Sequence, residues 1–353
     1  MKHFQKIMIT AAAALVFTAC KKDIDPVFPP TTDAEVQLNG IAAAEPGSAA
    51  GNSVYLDLSA AKQKTVLRSS WDLGFYCGTD FRVILNSTAV AGAKVLATND
   101  INSVGAADTI GLTLSTSQTN PLPEQMVYFD DISGDITKTV IPAVSATDAD
   151  NKVIIINRGT GGGITPRPWI KIRILRNGSN GYTLQYARIT ETTFKTLQVA
   201  KDPVYQFRQV SFDNGIADNQ PEKDKWDIVW TYSLYQANFG AGLVPYNFSD
   251  LIAVNDMAGV TVAQKVYADA ATALAAYNNF NTDSVSSTTL ISGKWAIAGS
   301  WRSTQPATGA RQDRFYVIKD AAGNFYKLKC IAMGVGTDGG TRGKPEFKYA
   351  LIK

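Results

Sequence analysis

Histidine is almost missing from this chain: the 353 residues contain one, His3, near the start. The rest of the sequence therefore has no imidazole for acid–base work, for activating a serine or cysteine, or for binding a metal. Cysteine is also scarce, with only Cys20, Cys77 and Cys330. Net charge is small, a formal +3 that becomes +1 without Lys2 and Lys6. Such a balance leaves no electrostatic footprint for nucleic acid or for an anionic membrane surface. Long apolar runs are missing too. The one near the start, Ile7 to Ala19, falls short of the roughly 20 residues that span a bilayer.

That run is instead laid out as a secretory leader over residues 1–19, with Lys2 and Lys6 before it and small residues at its end. Val16-Phe17-Thr18-Ala19-Cys20 resembles the lipobox of bacterial lipoproteins, which implies Cys20 as the lipidated first residue of the mature chain. Acyl chains there would hold the protein on a membrane without spanning it. Residues 20–50 hold Pro26, Pro29, Pro30 and Pro46 among Ala, Gly and Ser, and read as a flexible spacer. Lys21-Lys22-Asp23-Ile24-Asp25 resembles the charged export signal of some Gram-negative surface lipoproteins. The expected location is thus the outer membrane or cell surface, through a lipid anchor.

Beyond residue 50 the chain repeats itself. Ser70-Trp71-Asp72-Leu73-Gly74-Phe75 is matched by Lys225-Trp226-Asp227-Ile228-Val229-Trp230. Ser53 to Leu58 precedes the first motif, and Val204-Tyr205-Gln206-Phe207 takes that place before the second. Asn99-Asp100 and Asn255-Asp256 follow. Further on, Val153 to Ile156 corresponds to Phe315 to Ile318, Lys171 to Leu175 to Lys327 to Ile331, and Gln185 to Ile189 to Lys348 to Ile352. Two similar units, 51–199 and 200–353, account for this better than one long domain.

Short alternating segments separated by Gly, Asn and Asp predict strands at Phe81 to Leu85, Ile170 to Leu175, Tyr182 to Tyr186 and Phe325 to Ile331. Arg176 to Gly181 and Asp338 to Gly343 read as hairpin connections. Gly159 to Gly163 reads as a flexible loop, since no helix pattern or lysine follows to make a phosphate cradle. One helix is expected from Thr261 to Tyr277, with Val262, Val266, Ala270, Leu274 and Tyr277 on one face. The first unit has strands or loop in its place. The fold class is mainly β: two similar antiparallel β-rich domains with one or two short helices.

Cys330 alternates with lysines and belongs on the apolar face of a strand; two buried free thiols fit better than a Cys77–Cys330 bridge, although an oxidising compartment permits one. Asp130-Asp131 and Asp148-Ala149-Asp150 sit among turn residues and read as solvated charges, not as a catalytic carboxylate pair. No enzymatic chemistry is expected.

The Trp-Asp motifs with their flanking strands resemble the HmuY-like family of haem-binding lipoproteins. The resemblance implies an all-β fold with a long strand-rich palm, haem as cofactor, and delivery to a TonB-dependent outer-membrane receptor. The best-known members of that family ligate haem iron through two histidines, the first just after a Trp-Asp motif that closes on an aromatic residue. Here that place is taken by Tyr76 and Thr231. Some relatives are thought to use Met, which makes Met126, Met257 and Met333 available; Tyr76 with Met126 or Met257 is the candidate iron-ligand set. Trp71 and Trp226 are either walls of an apolar ligand pocket or core fillers beside a turn-tightening Asp, and the packing role is the simpler one. A structural or adhesive lipoprotein without ligand is the alternative, as is a carbohydrate-binding module using Trp230, Trp295 and Trp301.

Overall fold

The computed structural model describes residues 32–353 apart from Asp218 and Ala241. The expected leader, Cys20 and the charged segment after it lie outside the described residues. Strand outweighs helix by 38% to 13%, so the chain is mainly β. In chain order the strands are β1 (Asp33–Gln37), β2 (Asn52–Asp57), β3 (Lys62–Leu67), β4 (Leu73–Tyr76), β5 (Val83–Leu85), β6 (Gly92–Val95), β7 (Ile154–Asn157), β8 (Ile170–Arg176), β9 (Gly181–Arg188), β10 (Lys195–Ala200), β11 (Phe207–Ser211) and β12 (Gly215–Ala217). There follow β13 (Ile228–Asn238), β14 (Leu243–Val254), β15 (Thr261–Val266), helices α1 (Ala270–Asn279) and α2 (Thr282–Ser286), then β16 (Arg302–Thr304), β17 (Ala307–Ala310), β18 (Arg314–Lys319), β19 (Phe325–Ala332) and β20 (Glu346–Leu351).

Four antiparallel sheets carry the architecture. Two have five strands, in the orders β10-β9-β8-β7-β6 and β1-β20-β19-β18-β15. Two have four strands, in the orders β12-β11-β4-β5 and β14-β13-β2-β3. Each four-stranded sheet packs one face on a five-stranded one. Leu73, Phe75, Val83 and Val210 meet Ile154, Ile172 and Leu184 in one core. Val54, Leu56, Ile228 and Trp230 meet Tyr316, Leu328 and Tyr349 in the other. At about 1.5–3 kcal/mol for each fully buried large apolar side chain, these two cores dominate the stability.

Uninterrupted apolar runs mark the strands covered on both faces. In β7, Ile154 and Ile156 face the inter-sheet core while Ile155 joins Ile101, Val104 and Leu114 on the outer side. In β18, Tyr316 and Ile318 face inward, and Phe315 and Val317 lie under α1 with Tyr277. β19 alternates instead: Tyr326, Leu328, Cys330 and Ala332 are buried, with Lys327 and Lys329 on the other face. Matched lysines of β8 and β19 bind the layers that cover them. Lys171 Nζ donates to Val104 O at 2.6 Å, and Lys327 Nζ to Tyr277 O at 2.7 Å and Phe280 O at 3.0 Å, at the C-terminal end of α1.

Sheet membership crosses the boundary at 199/200. β2 and β3 come from the first half of the chain, but β2 pairs with β13 of the second. β11, from the second half, pairs with β4 of the first. β1 closes the second five-stranded sheet against β20, in the position that β10 takes in the first. The expected spacer is therefore corrected over residues 33–50: Asp33 to Gln37 hydrogen-bond as an edge strand, and Leu38 is fully buried. Gly40 packs on Trp230 so closely that a Cβ would lie 2.1 Å from the indole, a fit that composition alone does not reveal.

The chain passes from β3 to β4 through Arg68, which is fully buried. Its guanidinium donates to Ala50 O at 2.8 Å, Ala49 O at 3.1 Å, Thr88 O at 2.6 Å, Gly161 O at 2.9 Å and Gly162 O at 3.3 Å. The Tyr232 ring lies 4.8 Å away, at the bulge between Thr231 and Ser233. Gly159 to Gly163, expected as a flexible loop, is thus tied down, and burial lowers the Arg68 pKa to about 10.

The expected helix from Thr261 to Tyr277 is also corrected. Its first third is β15, paired with β18 from Thr261 to Val266, and α1 starts after Asp269, whose carboxylate accepts from Thr272 N at 2.7 Å. Val266 and Leu274 are exposed. A 3.6-residue reading of Val262 and Val266 concealed strand alternation, and pairing with β18 decided between the two periods.

Candidate functional site

Around the two tryptophan-aspartate motifs one hydrogen-bond pattern occurs twice. Asp72 N donates to Val210 O at 2.8 Å, and Phe212 N donates back to Asp72 Oδ2 at 2.9 Å. In the other motif Asp227 N donates to Leu56 O at 2.9 Å, and Leu58 N to Asp227 Oδ2 at 2.8 Å. Asn86 Nδ2 donates to Trp71 O at 2.7 Å, as Asn255 Nδ2 does to Trp226 O at 2.8 Å. The counterpart of Asn255 is therefore Asn86 and not Asn99, which hydrogen-bonds to Ala149 O. The sequence match went astray because Asn86 follows its tryptophan by 15 residues and Asn255 by 29, the long β13–β14 hairpin lying between. The strand equivalent to β2 is likewise β11, of which the expected Val204 to Phe207 contributes only Phe207.

The two aspartates differ in their surroundings. Asp72 is paired with Arg158 through both oxygens, at 2.8 and 2.9 Å, and with Arg167 at 3.2 Å. Arg158 follows β7; after the matching β18 comes Asp320. Asp227 consequently lies in the field of Asp57 and Asp320, and burial together with those charges raises its pKa to about 7.

Both motifs point their tryptophans into one cavity of about 160 Å³ between the free faces of the four-stranded sheets. Gly74, Phe207 and Gln209 line it from one sheet, and Ser53, Tyr55, Val229, Thr231 and Ala253 from the other. Period-2 alternation puts them there: Leu73 and Phe75 face the core on either side of Gly74, as Ile228 and Trp230 do on either side of Val229. The Tyr55 and Trp226 rings meet edge to face at 5.0 Å. Gln206 Nε2 donates across to Asn255 Oδ1 at 2.9 Å, and Ser53 Oγ and Thr231 Oγ1 are 2.7 Å apart.

Of the expected ligand residues, Trp71, Trp226, Thr231 and Met257 line this cavity. Tyr76 packs beside Phe207 at the far end of β4, and Met126 sits in a single 3₁₀ segment, Pro123–Tyr128; neither lines it. Met333 is fully buried in the second core. Trp230 and Trp301 are buried there too, at 1% and 0% exposure, which removes them from any carbohydrate-binding face. Trp295 alone of that trio reaches the cavity, its Nε1 donating to Ile132 O at 2.7 Å.

Asp130 is a further correction, because it is no solvated loop charge. Its carboxylate lines the cavity and accepts from Leu85 N at 2.7 Å and Val140 N at 2.9 Å, and burial raises its pKa to about 6. Lys294 and Asp256 line the same cavity; burial pushes the ammonium down and the carboxyl up. Gln209, Lys294 and Phe129 carry no motif that the sequence could offer. Gln209 alone left a trace, a polar residue on a strand whose next residue is core. Cys77 is half-buried, Cys330 is buried, and both are free thiols.

The fold and the site define a mainly β protein with an aromatic-walled cavity between stacked antiparallel sheets. No helix among the described residues is long and apolar enough to cross a membrane. A family model described as HmuY protein matches residues 49–349, and the chain belongs to that family, a surface-associated family that binds haem. No curated protein and no solved structure matches the chain.

Proposed function

We propose that this protein is a lipid-anchored surface protein that holds a mainly hydrophobic ligand between its two central sheets and passes it to a TonB-dependent outer-membrane receptor. The observation that carries this reading is the cavity into which both tryptophan-aspartate motifs direct Trp71 and Trp226. Cys20, after its apolar run, supports the anchor. The doubled hydrogen-bond pattern supports descent of the two halves from one copied unit.

Haem coordinated through its iron does not fit the residues lining this cavity. His3 is the chain's one imidazole, and of Tyr76, Met126 and Met257 only Met257 lines the site. The volume of about 160 Å³ is also below the roughly 300–1,000 Å³ of drug-sized ligand sites. Titration of the full-length protein with ferric haem, followed at the Soret band, tests the reading. The expected spectrum is that of unligated haem under oxidising and reducing conditions. A saturable shift abolished by Met257→Ala or Tyr76→Phe would replace this proposal with an iron-ligating haem carrier.

A further inference from the structure

We infer that the cavity between the central sheets selects a single-ring aromatic compound carrying both a hydrogen-bond acceptor and a hydrogen-bond donor. This inference rests on the cavity being the ligand site. Size comes first: about 160 Å³ is close to the roughly 150 Å³ of an engineered apolar cavity that takes up benzene. It is several times the roughly 30 Å³ share of one liquid water. Tyr55, Trp71, Phe129 and Val229 give it the apolar walls that a ring requires.

Three polar atoms on residues that line this cavity have no partner: Gln220 Oε1, on a partly exposed side chain, and two on residues that are more than nine-tenths buried. Trp226 Nε1, on a residue 7% exposed, is a donor without an acceptor. Gln209 Oε1, on a residue 4% exposed, is an acceptor without a donor. The sheet holds Gln209 here: it pairs with Gly74, opposite in direction to the Val210–Leu73 pair that faces the core. Any Cβ at Gly74 would come within 2.8 Å of Ile84, so the strand contributes backbone in place of a side chain there. Leaving a buried polar group unpaired is costly, so a ring that satisfies both atoms gains over one that satisfies neither.

The test uses the full-length protein and calorimetric titration with benzamide, phenol and benzyl alcohol, each a ring with acceptor and donor, against toluene, a ring with neither. Expected is tighter binding of at least one polar ring than of toluene. Trp226→Phe and Gln209→Leu should each lower the preference for that polar ring over toluene about tenfold, the equivalent of 1.4 kcal/mol. Circular dichroism and melting temperature establish that both variants fold; should Trp226→Phe not fold, Gln209→Leu and the wild-type ranking still decide. Toluene binding as tightly as every polar ring, or variants that leave the ranking unchanged, overturns the polar selection while the cavity stands as the site. No binding of any ring overturns the cavity as the ligand site as well.

Discussion

Exchange of Asp227 for asparagine should stabilise the protein near neutral pH, whereas the same exchange at Asp72 should destabilise it. Burial and the neighbouring Asp57 and Asp320 raise the Asp227 pKa from 3.8 to about 7. The folded chain therefore holds this proton more tightly than the unfolded chain. The contribution to stability is complete below about pH 4, and it is lost as pH rises towards 7. A shift of about three units at 1.36 kcal/mol each makes the loss roughly 4 kcal/mol, reached above pH 7. Asparagine keeps an acceptor for Leu58 N, now at 2.8 Å, and presents an amide that cannot ionise. Urea unfolding from pH 4.5 to 8.5, followed by tryptophan fluorescence, should show Asp227→Asn gaining on wild type by up to about 4 kcal/mol across the range, with the gain growing as pH rises. Asp72→Asn instead removes the charge that pairs with buried Arg158 and with Arg167, and should cost about 3–5 kcal/mol. A wild-type-to-Asp227→Asn difference that does not change with pH would refute the raised pKa of Asp227.

Arg68→Met should lower unfolding free energy by about 3–5 kcal/mol, because five carbonyls lose a buried charged donor; a fall below 1 kcal/mol in denaturant titration counts against its role as a tie. Gly40→Ala should cost about 1–3 kcal/mol through the clash with Trp230, measurable as a lower melting temperature. Thiol titration with a chromogenic disulfide should modify half-buried Cys77 in the native state and Cys330 only at the rate of unfolding. Equal native rates would place Cys330 outside the core.

Much of the fold was legible because strand burial is a local pattern. Phe325 to Ala332 alternates in sequence and is buried in alternation, and Val153 to Ile156 is apolar throughout because both its faces are covered. The stretch from Thr261 to Tyr277 was misread because valines four apart satisfy a helix period as readily as a strand period when alanines fill the gaps. The cavity was half legible: repetition singled out Trp71 and Trp226, but Gln209, Phe129 and Lys294 arrive from segments that no motif connects.

By itself the sequence determined the β class, the two tryptophan-aspartate centres and the near-absence of imidazole, since each depends on residue identity or on neighbours a few positions apart. Tertiary structure alone decided which strands share a sheet, so that β2 serves the second motif and β11 the first. It also decided that Asn86 rather than Asn99 matches Asn255, and that Asp72 meets arginines where Asp227 meets carboxyls. Those outcomes depend on long-range pairing and burial, where the electrostatic environment of a side chain is set by residues far away in the chain.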